Sequence, residues 1–332
     1  MKTGVLQFFS WPDRSRPLEQ VYARALERIE IMEATGYDAV WLAEHHFTGY
    51  SVCPSVHQMG TYVAARTERL RIGTAVTLAA LAHPLRIAEE VALLDVLSGG
   101  RVNWGAGRGF EAREFEAFAV PMAESSDRFR EAVEIVLAAW TQERVRFDGR
   151  FHQFRGVEVL PKPAQRPHPP SWVAATSEPA IQWAASKGLS ILMDPHSPHA
   201  EIARKREFYR VALEAAGFSF AGRELPMARL LAVAETASEA EAIARRGARW
   251  TLGAYMKGEQ LAQFAPGTPE RDPVDHYVAE VVIHGTPEAV RDQLEKLRSE
   301  MFLSYLLIAP LSEGSFQLFT ERVLPHLGAS SP

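Results

Sequence analysis

Short apolar runs alternate with longer amphipathic ones along the whole chain, and that alternation restricts the fold to repeated βα units around a parallel sheet. Eight runs have strand length and are mostly β-branched, aromatic or small: 5–9, 39–43, 70–75, 102–106, 171–174, 190–193, 228–234 and 305–309. Eight stretches repeat apolar positions at three and four residues and predict helices over 18–34, 55–65, 85–98, 127–140, 178–187, 199–216, 238–249 and 287–298. Gly36, Gly99 and Gly188 follow helix ends where a left-handed cap is needed, and Thr286-Pro287-Glu288 puts a capping hydroxyl before a first-turn proline. With 332 residues and 47% hydrophobic content, length alone fits either two ordinary domains or one large barrel. Eight alternating pairs favour a single (β/α)8 TIM barrel over 1–332 rather than an open doubly wound sheet.

Two stretches exceed the minimal repeat. Residues 141–170 hold Phe147-Asp148-Gly149-Arg150-Phe151-His152, which predicts a small hairpin around Asp-Gly, followed by proline-rich chain. Residues 251–280 are rich in glycine, proline and charge and read as a lid insertion or as a floppy loop.

Charge narrows the partners. The 36 basic and 41 acidic residues are well mixed and leave a net charge of -5, with no basic block to neutralise a phosphate backbone, so nucleic acid is not an expected partner. The one cysteine, Cys53, forms neither an internal disulfide nor a cysteine-based zinc site, which suits a reducing cytoplasm. No apolar run is long enough to span a bilayer, and Trp11-Pro12-Asp13-Arg14 interrupts the N-terminal run before a signal core forms. A soluble, cytoplasmic protein is the expectation.

Chemistry concentrates at predicted strand ends, where barrel active sites lie. Val40-Trp41-Leu42-Ala43 runs into Glu44-His45-His46-Phe47, a carboxylate and two adjacent imidazoles. Alternation along a continued strand would turn one imidazole to the barrel mouth and the other behind it. An imidazole there can exchange a proton near neutral pH, or the two can be satisfied structural histidines; adjacent residues seldom converge on one metal ion. Next, Gly105-Ala106-Gly107-Arg108-Gly109 lets backbone approach a ligand closely and offers a forked donor for phosphate, although the spacing is not that of a dinucleotide fold. Glu114 follows in a charged loop, facing the site or solvent. Val173-Ala174-Ala175-Thr176-Ser177 leads a strand into a helix through small residues and two hydroxyls, suited to phosphate and equally to plain capping. Thr74-Ala75-Val76-Thr77 and His83-Pro84 offer small residues on which a flat ring can lie.

In order along the chain, Gly36-Tyr37-Asp38-Ala39-Val40-Trp41, Glu44-His45-His46-Phe47, His83-Pro84, Leu94-Asp95-Val96-Leu97-Ser98-Gly99-Gly100-Arg101 and Gly107-Arg108-Gly109 resemble the bacterial luciferase-like superfamily of flavin-dependent monooxygenases. The resemblance weakens after Lys187 and returns at Gly285-Thr286-Pro287 and Val323-Leu324-Pro325-His326. It implies a (β/α)8 barrel with an excursion and a mobile lid, and a homodimer. It also implies reduced FMN supplied by a separate flavin reductase, and oxidation of a small organic substrate by oxygen through a peroxyflavin. Carried over residue by residue, His45 matches the histidine that assists this chemistry, His46 its neighbour, and Glu114 an acidic residue near the site. Arg108 and Arg128 match arginines near the flavin phosphate, and Ala174, Ala175, Thr176 and Ser177 fall where the phosphate is held. Ala75-Val76 matches the segment beneath the ring, which carries a cis non-proline peptide in luciferase.

Two departures count against light emission from a long-chain aldehyde: Gly107 replaces a reactive cysteine and Ala175 a glutamate. An F420-dependent oxidoreductase of the same superfamily and a non-catalytic flavin-binding subunit remain the alternatives. The substrate pocket is expected among loop side chains such as Phe8, Phe9, Tyr50, Phe110 and Met193.

Overall fold

The computed structural model describes residues 1–254 and 272–328. The strands are β1 (Lys2–Gln7), β2 (Ala39–Leu42), β3 (Arg71–Thr74), β4 (Thr77–Leu78), β5 (Val102–Gly107) and β6 (Val145–Asp148). They continue with β7 (Gln153–Val157), β8 (Ser171–Ala174), β9 (Ser190–Leu192), β10 (Met227–Val233), β11 (Ile283–Gly285) and β12 (Tyr305–Pro310). The helices are α1 (Leu18–Ala34), α2 (Val56–Ala64), α3 (Pro84–Leu97), α4 (Ala112–Ala117), α5 (Ser125–Thr141) and α6 (Glu178–Ser186). They continue with α7 (His199–Ala215), α8 (Ala237–Ala254), α9 (Pro273–Glu280), α10 (Pro287–Met301) and α11 (Glu313–Arg322). Within the stretch read as a lid, α8 and α9 cover the ends, and 255–271 lie outside the described residues.

The architecture is α/β with parallel strands, divided into two compact units. One unit comprises Gln7–Ala34 and Ala39–Ala174. Its sheet runs β2-β3-β5-β8, all parallel, with β4 also on β5. Trp41 is fully buried in β2 and meets Trp172 of β8 edge to face at 5.3 Å. Its indole also occupies the space beside Gly73 of β3, where an added Cβ would lie 2.3 Å from the ring, so only glycine fits there. Outside the sheet α3 packs on α5, and Trp140 Nε1 of α5 donates to Ala88 O of α3 at 2.9 Å. The antiparallel β6–β7 hairpin follows, with Glu131 of α5 accepting from the backbone N–H groups of Arg150, Phe151 and His152 at its turn.

The Leu94–Arg101 motif is a structural corner. Gly99 and Gly100 have φ of 68° and 82°, and Gly188 after α6 has 66°, whereas Gly36 after α1 does not use the left-handed region. Arg101 then reaches back to the end of α2, donating to Ala64 O at 3.0 Å, Thr67 O at 2.8 Å and Leu70 O at 2.7 Å. A cation thereby satisfies carbonyls that the helix end leaves open.

The other unit comprises Met1–Leu6, Thr35–Asp38 and Ala175–Pro332, and its sheet runs β1-β12-β10-β11, again parallel. Tyr37 stacks on Phe316 of α11 at 5.8 Å, and its hydroxyl pairs with Thr320 at 2.9 Å. Thr286 Oγ1 accepts from Ala289 N at 3.4 Å with Pro287 in the first turn, so α10 starts by the capping geometry that Thr-Pro-Glu predicts.

Element boundaries differ most where apolar runs outlast the strand. β1 starts at Lys2 and ends at Gln7, because Phe8 and Phe9 leave the sheet and Phe9 N donates to Ser51 Oγ at 3.1 Å. β4, β11, α4, α9 and α11 have no counterpart among the predicted elements. β11 has three residues, too few to display a period, and Gly314 breaks up the first turn of α11.

Candidate active site

β2 ends at Leu42, so the strand alternation expected to separate His45 from His46 has already lapsed when the chain reaches them. His45 N donates to Cys53 O at 3.1 Å, and Phe47 takes a left-handed φ of 57°. The resulting turn brings both imidazoles to carboxylates. His46 Nε2 lies 3.1 Å from Glu44 Oε1, while Glu44 Oε2 accepts from Leu78 N of β4 at 3.3 Å. Glu114, buried on α4, accepts from His46 N at 2.9 Å, and the same oxygen lies 3.9 Å from His45 Nδ1. His45 itself clusters with two rings that also touch each other, stacked with Phe8 at 6.3 Å and edge-on to Tyr50 at 5.2 Å.

Burial sets the charges. It lowers His45 to about 4, helped by neighbouring His46, so the imidazole is neutral at physiological pH. Burial raises Glu114 above the ordinary carboxylate range, although the His46 N–H and imidazole pull the other way. The Cys53 thiol, also buried, is pushed up to about 12 and stays protonated.

Within the same unit, the bend between β3 and β4 lies beside β5. The Ala75–Val76 peptide is cis, the geometry implied by the resemblance at that position. A Cβ on Gly107 would lie 2.2 Å from Val76 Cγ2, so Val76 fills the space that a side chain at 107 would need. A cysteine at 107 therefore requires Val76 to shift. Gly107→Cys is expected to lower stability by about 1–3 kcal/mol through overpacking, with Val76→Ala in the same chain recovering most of the loss. Urea unfolding checks this, and an unchanged midpoint for the single variant would show that Val76 gives way freely.

The two arginines carried over from the resemblance differ. Arg108 is exposed, and its hydrogen-bond partner among the described residues is Ser125 Oγ at 3.2 Å, which leaves donors for an anion. Arg128 is committed to Glu124 at 2.8 Å and lies over the Phe151 ring at 4.3 Å. Of the next stretch, Ala174 closes β8 and belongs to the same unit as Arg108. In the other unit Ala175 is buried and Thr176 is exposed. Ser177 holds the N-cap position of α6 with no side-chain cap bond, and Pro179 in the first turn has no N–H to offer. Phe8 and Tyr50, expected near substrate, touch His45, whereas Phe9 is fully buried.

A further charged cluster draws its members from elements far apart in the chain. In the second unit Asp194, just after β9, accepts from His196 N at 2.8 Å and from the Ser197 hydroxyl at 2.6 Å, with Lys205 Nζ of α7 at 3.3 Å. Fully buried Arg229 of β10 donates to Asp194 O at 2.9 Å and Ser197 O at 3.0 Å, and His196 Nδ1 pairs with the Tyr277 hydroxyl at 2.6 Å. The signal was Asp194-Pro195-His196-Ser197-Pro198 at a strand end, whose partners arrive from α7 and β10. Among the described residues, no group of three or more His, Cys, Asp or Glu is placed to hold a metal ion.

Buried neutral histidines also predict acid sensitivity. Burial lowers His45 and His196 to about 4 and His199 to about 3, below the ordinary value that the unfolded chain restores. The unfolded state therefore binds more protons as pH falls from about 6.5 to 4, and stability is lost across that window, by roughly 3 kcal/mol for a histidine moved this far. Raised Glu114 acts in the opposite sense. Urea midpoints between pH 7.5 and 4.5 are expected to fall steeply in the parent protein and less steeply in His45→Gln.

A parallel α/β scaffold thus carries a buried His45–Glu114 pair at the exit of β2, in the same unit as the Ala75–Val76 bend and the exposed Arg108. The chain matches the luciferase-like monooxygenase family over residues 1–303 and belongs to it. It is 28% identical over 283 residues to the oxygenase component of flavin-dependent trigonelline monooxygenase from Acinetobacter baylyi, covering 82% of this chain and 76% of that protein. The monooxygenase RslO1 of Streptomyces bottropensis superposes with a TM-score of 0.84 at 30% identity, over 99% of this chain and 100% of that one. At 18% identity the likeness is of fold alone for the coenzyme F420-dependent tetrahydromethanopterin reductase of Methanopyrus kandleri, with a TM-score of 0.74 over 98% and 99% of the two chains. Other curated relatives are matched over about half their length, at 50% and 49%.

Proposed function

We propose that this chain is the oxygenase component of a two-component monooxygenase, taking reduced FMN from a separate reductase and using oxygen to oxidise a small organic substrate. The observation that carries the reading is His45, uncharged, desolvated and held beside Glu114 in the unit that also provides the Ala75–Val76 bend and Arg108. Those residues fit FMN: Gly107 brings no side chain to the bend, where Val76 fills the space beside it, and Arg108 retains donors for the phosphate. Reduced FMN supplies two electrons, so that one oxygen atom enters the substrate and the other leaves as water. The chain's own part is to bind, orient and exclude water. Neutral His45 offers a ring N–H or lone pair to the reacting oxygen without a charge that would need hydration, and Glu114 and the His46–Glu44 pair fix the turn that aims it. Phe8 and Tyr50 beside that ring favour an apolar substrate.

The second reading is an F420-dependent oxidoreductase, supported by the fold likeness to the Methanopyrus enzyme. Titrating tryptophan fluorescence with FMN, anaerobically reduced FMN and F420, then following oxygen uptake with candidate substrates, separates the two. Binding F420 more tightly than either form of FMN, with no oxygen uptake, defeats the proposal.

A further inference from the structure

α2 carries a buried histidine that the proposed chemistry does not use. His57 Nδ1 lies 2.8 Å from Glu90 Oε2 of α3, and Nε2 lies 3.0 Å from Thr77 Oγ1 of β4. The Thr77 hydroxyl donates onward to Thr74 Oγ1 at 3.3 Å. Thr74 in turn donates to Gly105 O at 2.7 Å and accepts from Gly105 N at 2.9 Å. At the outer end Arg86 Nε donates to the second Glu90 oxygen at 2.6 Å. His57, Thr74 and Thr77 are all buried, so the bonds among them are costly to leave unmade, whereas the Arg86–Glu90 pair is exposed.

Counting hydrogens gives the chain a direction. Thr77 has one hydroxyl hydrogen, and giving it to Thr74 leaves Thr77 only an acceptor towards the ring. Nε2 then donates to Thr77, while Nδ1 pairs with the Glu90 carboxylate, whose pKa is held down chiefly by this bond. The hydrogen-bonded chain therefore runs from His57 both ways, to Glu90 and through Thr77 and Thr74 to the β5 backbone. Were Nε2 to lack its hydrogen, the Thr77 hydroxyl would turn to the ring and abandon Thr74. The two threonines flank Ala75 and Val76, so the imidazole settles how both ends of that bend are tied.

We propose that His57 is a positioning residue for the bend that carries the flavin ring: it orients Thr77 and Thr74, which bind the bend to β5, and anchors the assembly to α3 through Glu90. The proposal rests on reading Ala75–Val76 as the surface beneath the flavin.

Two measurements test it, one without cofactor. In flavin-free protein, amide hydrogen exchange over 75–79 is expected to quicken about tenfold in His57→Leu and Thr77→Val, the cost of one buried bond left unmade. The double variant should be no faster than either single, because both act on one chain. His57→Gln, which keeps a donor towards Thr77, is expected to recover part of the protection. With FMN, the dissociation constant should rise about tenfold in His57→Leu, with a weaker visible circular dichroism band from the bound ring. Unchanged exchange and unchanged FMN binding in a folded His57→Leu protein overturn the proposal, as do single-variant effects that multiply in the double variant. Parent protein that binds no flavin overturns the site reading and the flavin half of this proposal, while the exchange measurement still decides the brace.

Discussion

His45→Ala is expected to lower substrate-dependent turnover about a hundredfold or more while leaving FMN affinity within about threefold, the range for losing a group that handles a proton at the reacting centre. The imidazole is desolvated beside Phe8 and Tyr50, and alanine leaves a space that water enters. Electrons from reduced FMN should then be diverted to hydrogen peroxide, so peroxide release per flavin oxidised rises as product falls. Stopped-flow oxidation of reduced FMN with parallel product and peroxide assays reads both quantities. Normal product yield from the alanine variant would remove His45 from the chemistry and leave it a packing residue. Glu114→Gln provides a contrast, since the amide oxygen still accepts from His46 N while the negative charge near His45 is gone.

Asp194→Ala should be the most destabilising single change, by about 3–5 kcal/mol, because it strands buried Lys205 without its carboxylate and frees the Ser197 hydroxyl and two backbone N–H groups. Burial by itself raises the Asp194 pKa, but Lys205, His196 and the Ser197 hydroxyl outweigh it and hold the group below its ordinary range. Its contribution is therefore present near neutral pH and lost as pH falls through the folded-state value. Urea unfolding of the alanine and asparagine variants measures the loss, with asparagine expected to keep part of the hydrogen bonding. A shift under about 1 kcal/mol would show that the Ser197 hydroxyl, 3.0 Å from Lys205 Nζ, and the Glu201 carboxylate at 3.8 Å suffice for the charge.

What sequence reading reached follows from which signals are local. Strand and helix periods are local, so β2, β3, β5, β8, β10 and their helices lie within a few residues of the predicted spans. β11 is three residues long and escaped because a period cannot show in that length. The Glu44–Phe47 turn was legible as chemistry, since ionisable residues crowd a strand exit, yet its geometry was not: β2 stops at Leu42, and the pairing of Glu44 with His46 depends on a turn that alternation does not describe. Asp194 and Arg229 stand 35 positions apart, and only the packing of α7 and β10 around the end of β9 unites them. His57 went unassigned for the same reason, its partners lying on two other elements.

The lone thiol offers a way to watch the His45 turn open. Cys53 is buried and protonated, and its carbonyl receives the His45 N–H, so an alkylating reagent must wait for that loop to lift before it finds a thiolate. The labelling rate of one native residue thus becomes a clock for local breathing beneath the candidate site, with no reporter group introduced. The same concealment protects the residue from external oxidants, so oxidative wear of this chain should begin at exposed Met122 rather than at its thiol.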